Sequence, residues 1–248
     1  MVDPSMAAPS RGVGDFRVGD ALSRSFEIFS RHFGAFLVLA LVSNLPVFLY
    51  LFGLIQGVFT GNQGTVAGIS GFLGFLGSLI ANGAILYGVV QRLRNQSFTV
   101  GNCLAIGVGV MLPILGVSIV VGVLTMLGMI LLIVPGIMVF CAYYVAVPAC
   151  VVERQGVFAS LSRSGFLTKG YRWRIFGIAI VLVIASAIVQ AIAEAILGAM
   201  GLYIAVFGPL VLTSVVSAFG AVVNGVVYYQ LRVAKEGVDI EEIARVFD

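Results

Sequence analysis

From Leu104 to Val151 the chain carries no charged side chain. As one helix rising 1.5 Å per residue this run would measure about 70 Å, more than twice the roughly 30 Å hydrocarbon core of a bilayer. It therefore has to fold back on itself, and the expected turn lies around Leu127 and Gly128. Two transmembrane spans replace one.

The rest of the chain reads the same way. Of its 248 residues 60% are hydrophobic and 10% charged, against about 45–50% and about 25% in ordinary globular domains. Six apolar segments of spanning length follow in order: Gly34 to Phe59, Val66 to Val90, Leu104 to Met126, Leu127 to Val151, Ile175 to Leu197, and Tyr203 to Leu231. These use up most of the chain, so no separate soluble domain is expected. The first 18 residues lack the apolar run of a secretory signal, and the N-terminus is expected to stay on the protein. The predicted fold class is all-α, an integral membrane bundle of six transmembrane helices. It comprises a flexible cytoplasmic N-terminus over 1–15, one membrane domain over 16–236 and a cytoplasmic tail helix over 237–248. In the tail, Asp239 and Glu242 are placed as a helix cap, with Ile240, Ile243 and Phe247 on a face able to dock.

Cations set the direction of the spans. Arg11, Arg17, Arg24 and Arg31 precede the first; Arg92 and Arg94 follow the second. Arg154, Arg163, Lys169, Arg172 and Arg174 lie between the fourth and fifth, and Arg232, Lys235 and Arg245 follow the sixth. The intervening segments, TGNQGT after the first span, the turn near Gly128 and the stretch around Met200 and Gly201, have no Lys or Arg. Six spans with both termini cytoplasmic satisfy the positive-inside rule, whereas five or seven would place one terminus and its cations on the wrong side.

Between Gly19 and Phe33 the period becomes amphipathic. Leu22, Phe26, Phe29 and Phe33 fall on one helical face and Asp20, Arg24, Glu27 and Arg31 on the other. Such a helix is expected to lie in the membrane interface or to pack under the bundle. Part of the segment recurs: FRVGDAL at Phe16 to Leu22 is echoed by FTVGNCL at Phe98 to Leu104, and Leu22, Ser23, Arg24, Ser25 by Leu161, Ser162, Arg163, Ser164. Three parallel repeats result, each a short amphipathic cytoplasmic helix plus a helical hairpin, over about 16–96, 97–153 and 154–236. The inverted repeats of many secondary transporters are not what this pattern describes.

Three stretches carry a signature: FRVGDALSRSFEIFSRHFGAFLVLAL from Phe16, LGMILLIVPGIMVFCAYYVAVPACVVERQG from Leu127, and ASLSRSGFLTKGYRWRIFGI from Ala159. Their most specific pieces are LLIVPG at Leu131 to Gly136, VPACVVER at Val147 to Arg154, and SRSGFLTKGYRWRIF. Together they resemble the glycerophosphoryl diester phosphodiesterase membrane domain and the YciC-like inner-membrane proteins, over nearly the whole chain. The resemblance implies a bacterial inner-membrane location. It implies no activity here, because the His and carboxylate metal set of the hydrolase that is sometimes fused to this domain is missing.

No catalytic or metal constellation assembles from the remaining residues. His32 is the sole histidine and has no ligand partner near it in sequence. Cys103, Cys141 and Cys150 lack zinc or CxxC spacing and read as packing residues. No cofactor is implied. Four groups of residues are singled out instead. Arg154, Arg163, Lys169, Arg172 and Arg174 face one acid, Glu153, and interleave with Tyr171 and Trp173. Each cation near an anionic leaflet contributes about 1 kcal/mol, so this segment either anchors the bundle or grips anionic phospholipid headgroups or a membrane-protein partner. Nucleic acid is a poor match for so few cations held at a membrane. Ser186, Gln190 and Glu194, four residues apart, form a polar stripe on the fifth span. It is read as a path for a proton or solute, meeting Asn44, Asn82 or Asn224, or as a carboxylate reaching the outer interface. Gly68, Gly71, Gly74 and Gly77 mark a helix contact. Pro46, Pro113, Pro135 and Pro209 lie within spans, with VPG at Val134 to Gly136 the expected break.

The function predicted on these grounds is a non-enzymatic inner-membrane protein that organises or regulates a lipid environment or a membrane complex through its basic face. The alternative is a small-solute or lipid transporter or channel using the stripe on the fifth span.

Overall fold

Prolines accompany four of the helix breaks in this chain, at Pro46, Pro113, Pro135 and Pro148, while the last helix runs on through Pro209. The computed structural model describes residues 16–58, 63–94 and 96–236, and all regular structure among them is helical. The elements are α1 (Val18–Arg31), α2 (Phe33–Ile55), α3 (Gln63–Leu93), α4 (Val100–Gly109), α5 (Met111–Leu131), α6 (Ile133–Tyr143), α7 (Ala146–Glu153), α8 (Val157–Thr168), α9 (Arg172–Leu197) and α10 (Leu202–Glu236). The N-terminal segment and the C-terminal tail helix expected from sequence lie outside the described residues, as do the first three residues of TGNQGT.

A proline cannot donate to the carbonyl four residues back, and its ring crowds that carbonyl. Pro113 acts on Gly109, and α4 gives way to α5 at Val110. Pro135 acts on Leu131, and the chain turns extended at Leu132. Pro148 acts on Tyr144, and α6 gives way to α7 at Val145. Pro46 acts on Val42, and α2 divides there into Phe33–Val42 and Asn44–Ile55. The fold-back of the long apolar run is therefore at Leu132, not at Leu127 and Gly128. VPG itself stands just after the break: Pro135 lies in the first turn of α6, where its missing N–H has no helical partner to lose. Gly128 has a different role. A Cβ there would meet the Gly136 Cα at 2.8 Å, so these two glycines let α5 and α6 close backbone against backbone.

Among the described residues five paths are long and apolar enough to cross a bilayer: α3, α5, the α6–α7 pair, α9 and α10. A sixth needs α2, which α1 enters at a bend of 82°. This is a multi-pass membrane protein.

Helix α10 is its axis. One face, with Ala218, Ala221, Val222 and Val226, packs on Ala84, Ile85 and Val89 of α3 and on Phe36 and Leu39 of α2. Another face, with Val223, Val227, Tyr228 and Leu231, packs on Val145, Ala149, Leu167, Ile175 and Ile178. Gly225 lies on the first of these faces, and Val89 of α3 presses to 3.0 Å from where its Cβ would be. Helix α1 lies against α10 and α9 through Ala21, Ser25 and Phe29, while Phe26, expected on the apolar face, is 65% exposed. The packed stripe thus combines two small residues with Phe29 and leaves Phe26 outside it. Cys103, Cys141 and Cys150 are buried free thiols.

Candidate functional site

Cations gather where α1, α8, the start of α9 and the ends of α3 and α10 meet. The α7–α8 corner turns at Arg154, held in the left-handed region at φ 51° as the α7 C-cap. The returning α8 is tied to α6 by two buried hydroxyls. Ser164 Oγ and Thr168 Oγ1 donate to the Ala142 carbonyl at 2.9 and 3.0 Å, one turn before the proline break. The SLSRSGFLT run therefore cements two helices.

Arg163, one residue before Ser164, is engaged as well. Its Nε donates to Glu153 Oε1 at 2.7 Å, and its Nη2 pairs with Glu236 Oε1. The same Glu153 oxygen accepts from the buried Tyr228 hydroxyl at 2.7 Å, and Arg232 Nε meets Glu236 Oε2 at 3.0 Å. The arrangement joins α7, α8 and α10. Partial burial works against the Arg163 charge, but its hydrogen bonds to Glu153 and Glu236 outweigh that and hold the guanidinium pKa above its ordinary value. An arginine read from sequence as facing headgroups is thus committed to two carboxylates.

The other cations of the segment divide. Arg174 Nη1 donates to the Phe16 carbonyl, and its guanidinium lies over the Tyr171 ring at 5.7 Å. Lys235 lies over Tyr171 and Phe166 at 5.6 and 5.9 Å. Arg172 is half-buried, its Nε without a hydrogen-bond partner. Arg154 and Lys169 are exposed and carry no ion pair among the described residues. Trp173, 81% exposed, projects from the first turn of α9 and meets Phe176 edge-on. Exposed Phe26, Phe158 and Phe166 accompany it.

Among the described residues Ser186 and Asn44 hydrogen-bond elsewhere than to each other. Ser186 Oγ turns back to the Val183 carbonyl at 2.9 Å, Gln190 is half-buried and Glu194 is exposed. Asn44 Nδ2 donates instead to the Ala40 carbonyl at 2.9 Å and to Ser214 Oγ at 3.2 Å, while Asn82 is exposed. Of the four glycines on α3, Gly74 makes a close contact, its Cβ position 2.7 Å from Val47 of α2. Gly68 and Gly71 face open space, and Gly77 is half-buried. The tightest backbone approach on α3 is elsewhere, where a Cβ on Gly107 of α4 would collide with the Ile80 carbonyl. His32 belongs to an aromatic group, its ring 5.6 Å from Phe98 and its Nδ1 3.3 Å from the Ile28 carbonyl.

Asn224 leads to a feature that sequence reasoning missed. It lines an open-sided groove of about 540 Å³ between α5, the α6–α7 break and α10, together with Ser118, Thr125, Tyr143 and Tyr144. Ser118 and Thr125 are seven residues apart, two helical turns, and so share a face of α5. Thr125 Oγ1 and Asn224 Oδ1 are buried without a hydrogen-bond partner. The signal in sequence was that spacing, with a tyrosine pair inside an apolar run. Among the described residues no group of His, Cys, Asp and Glu is placed to hold a metal ion. Comparison of the chain with protein-family models, with curated proteins and with solved structures gave no match.

Proposed function

We propose that this is a non-enzymatic protein of the bacterial inner membrane that organises or regulates a lipid environment or a membrane complex through its basic face. The observation that carries the reading is the pairing of unneutralised cations with exposed aromatic side chains at one end of the bundle. Arg154 and Lys169 are exposed beside Trp173, Phe158 and Phe166. Cations at an anionic leaflet and Trp at headgroup level favour the same depth. The two carboxylate partners of Arg163 support assigning headgroup or partner contact to Arg154, Lys169, Arg172, Trp173 and Arg174 instead.

On this reading six spans place both termini on the cytoplasmic side. The order of elements, with α1, α4 and α8 each ahead of two membrane-crossing paths, supports three parallel repeats. The resemblance to the glycerophosphoryl diester phosphodiesterase membrane domain and the YciC-like proteins supports the location. The polar stripe on α9 is the weaker basis for function, because Glu194 is exposed and the stripe lines no part of the groove.

The test replaces Arg154, Lys169 and Arg172 together by Gln and counts anionic phospholipid co-purifying with the protein by mass spectrometry. Recovery should fall severalfold while uncharged lipid is unaffected. Equal recovery of anionic lipid and of neighbouring proteins would overturn the proposal.

A further inference from the structure

The groove between α5, the α6–α7 break and α10 has three properties that together describe a ligand. Its volume, about 540 Å³, is within the roughly 300–1,000 Å³ typical of small-molecule sites. Among the described residues no charged side chain lines it. Its polar groups are four hydroxyls and one amide, on helices that cross the bilayer.

The open side is apolar: Met126 and Phe140 line the groove and are themselves exposed, at 65% and 38%. Entry is therefore from hydrocarbon, which selects a lipid over a water-soluble solute. With no cation or carboxylate to neutralise it, a charged headgroup would be costly there.

The unpaired atoms narrow the chemistry further. Asn224 Oδ1 accepts hydrogen bonds and cannot donate, so an ester carbonyl leaves it unsatisfied. A hydroxyl both donates and accepts, and it serves the amide whichever way it is turned. Thr125 Oγ1, also without a partner, gains from the same group, because a threonine hydroxyl can take either role. We propose that this groove binds an uncharged lipid bearing a free hydroxyl, its hydrocarbon chain entering past Met126 and Phe140 and its hydroxyl pairing with Asn224 and Thr125 after a side-chain rotation that uncovers their buried oxygens. The site is independent of the basic face, and it stands or falls separately.

The test uses the full-length protein in nanodiscs and a diacylglycerol carrying a diazirine in one acyl chain. Crosslinks are expected on peptides containing Met126 or Phe140. Unlabelled diacylglycerol should compete, and its O-acetylated derivative, which has the same chains and no hydroxyl, should compete about tenfold less well, the equivalent of one lost hydrogen bond. Thr125→Val, which keeps shape and removes the hydroxyl, should weaken labelling by a similar factor with the melting temperature retained; Asn224→Leu is the second variant. Labelling should survive the Arg154, Lys169 and Arg172 substitutions. Equal competition by the acetylated derivative or by anionic phospholipid, labels spread over α9, or labelling indifferent to Thr125→Val would each overturn the proposal.

Discussion

The two ends of the α5–α7 hairpin are built on opposite principles. At the α7 end, Glu153 is held by Arg163 and Tyr228, Arg163 by Glu236, and Ser164 and Thr168 by the Ala142 carbonyl. At the other end, Leu131, Leu132, Ile133 and Val134 turn the chain with all four side chains exposed. In water the second end would be a liability. In a bilayer an exposed leucine is solvated, and it gains little by being covered. What such a fold lacks is a hydrophobic force between helices, so its specificity rests on satisfied polar pairs and on backbones brought close by glycine.

The comparison can be broken most forcefully at Arg163. Arg163→Met leaves Glu153, 13% exposed, without its cation, and Glu236 with only Arg232. The expected loss is about 3 kcal/mol, the low end for a broken buried pair because these groups keep some water. Thermal unfolding in detergent should show it, and unchanged unfolding would mean that the network is ornamental. Next comes Gly136→Val, whose Cβ would lie 2.7 Å from the Met129 backbone nitrogen. Overpacking there should cost about 2 kcal/mol and part the tip of the hairpin, as read by crosslinking of cysteines placed on α5 and α6. The double change Ser164→Ala with Thr168→Val removes both hydroxyls from one carbonyl and should cost about 1–2 kcal/mol. Leu132→Ala is the smallest. A buried leucine cut to alanine costs about 2–5 kcal/mol, yet here the expected change is under about 0.5 kcal/mol. A large effect at Leu132 would show that lipid does not solvate this end, and a subunit contact would be the physical alternative.

Much of this was legible beforehand. Periodicity and charge placed α2, α3, α9 and α10 to within a few residues, because hydropathy averaged over 20 residues does not depend on neighbours. The proline breaks were half legible. Pro113 and Pro135 mark breaks, but each break falls near residue i−4, where the carbonyl loses its partner, so the turn at Leu132 lies ahead of VPG; the turn expected at Leu127 and Gly128 from the length of the apolar run is four or five residues early. Pro148 was passed over inside VPACVVER, although it separates α6 from α7 on the same grounds. The glycine stripe is only partly accounted for within this chain, because regular spacing in sequence does not say which residue of a face meets a neighbouring helix. Gly74 meets α2, while Gly68 and Gly71 do not.

The sequence by itself determined that this chain is a helical membrane protein with its cations in a few clusters, since both properties are sums over local side chains. Only the tertiary structure decided what those cations do and where polar groups converge. Arg163 faces two carboxylates because α8 folds back on α7 and the end of α10 arrives beside it. Thr125 and Asn224, 99 positions apart in the chain, line one groove because α10 packs beside the α6–α7 break. Such meetings depend on which helices become neighbours, and no local pattern along one helix carries that information.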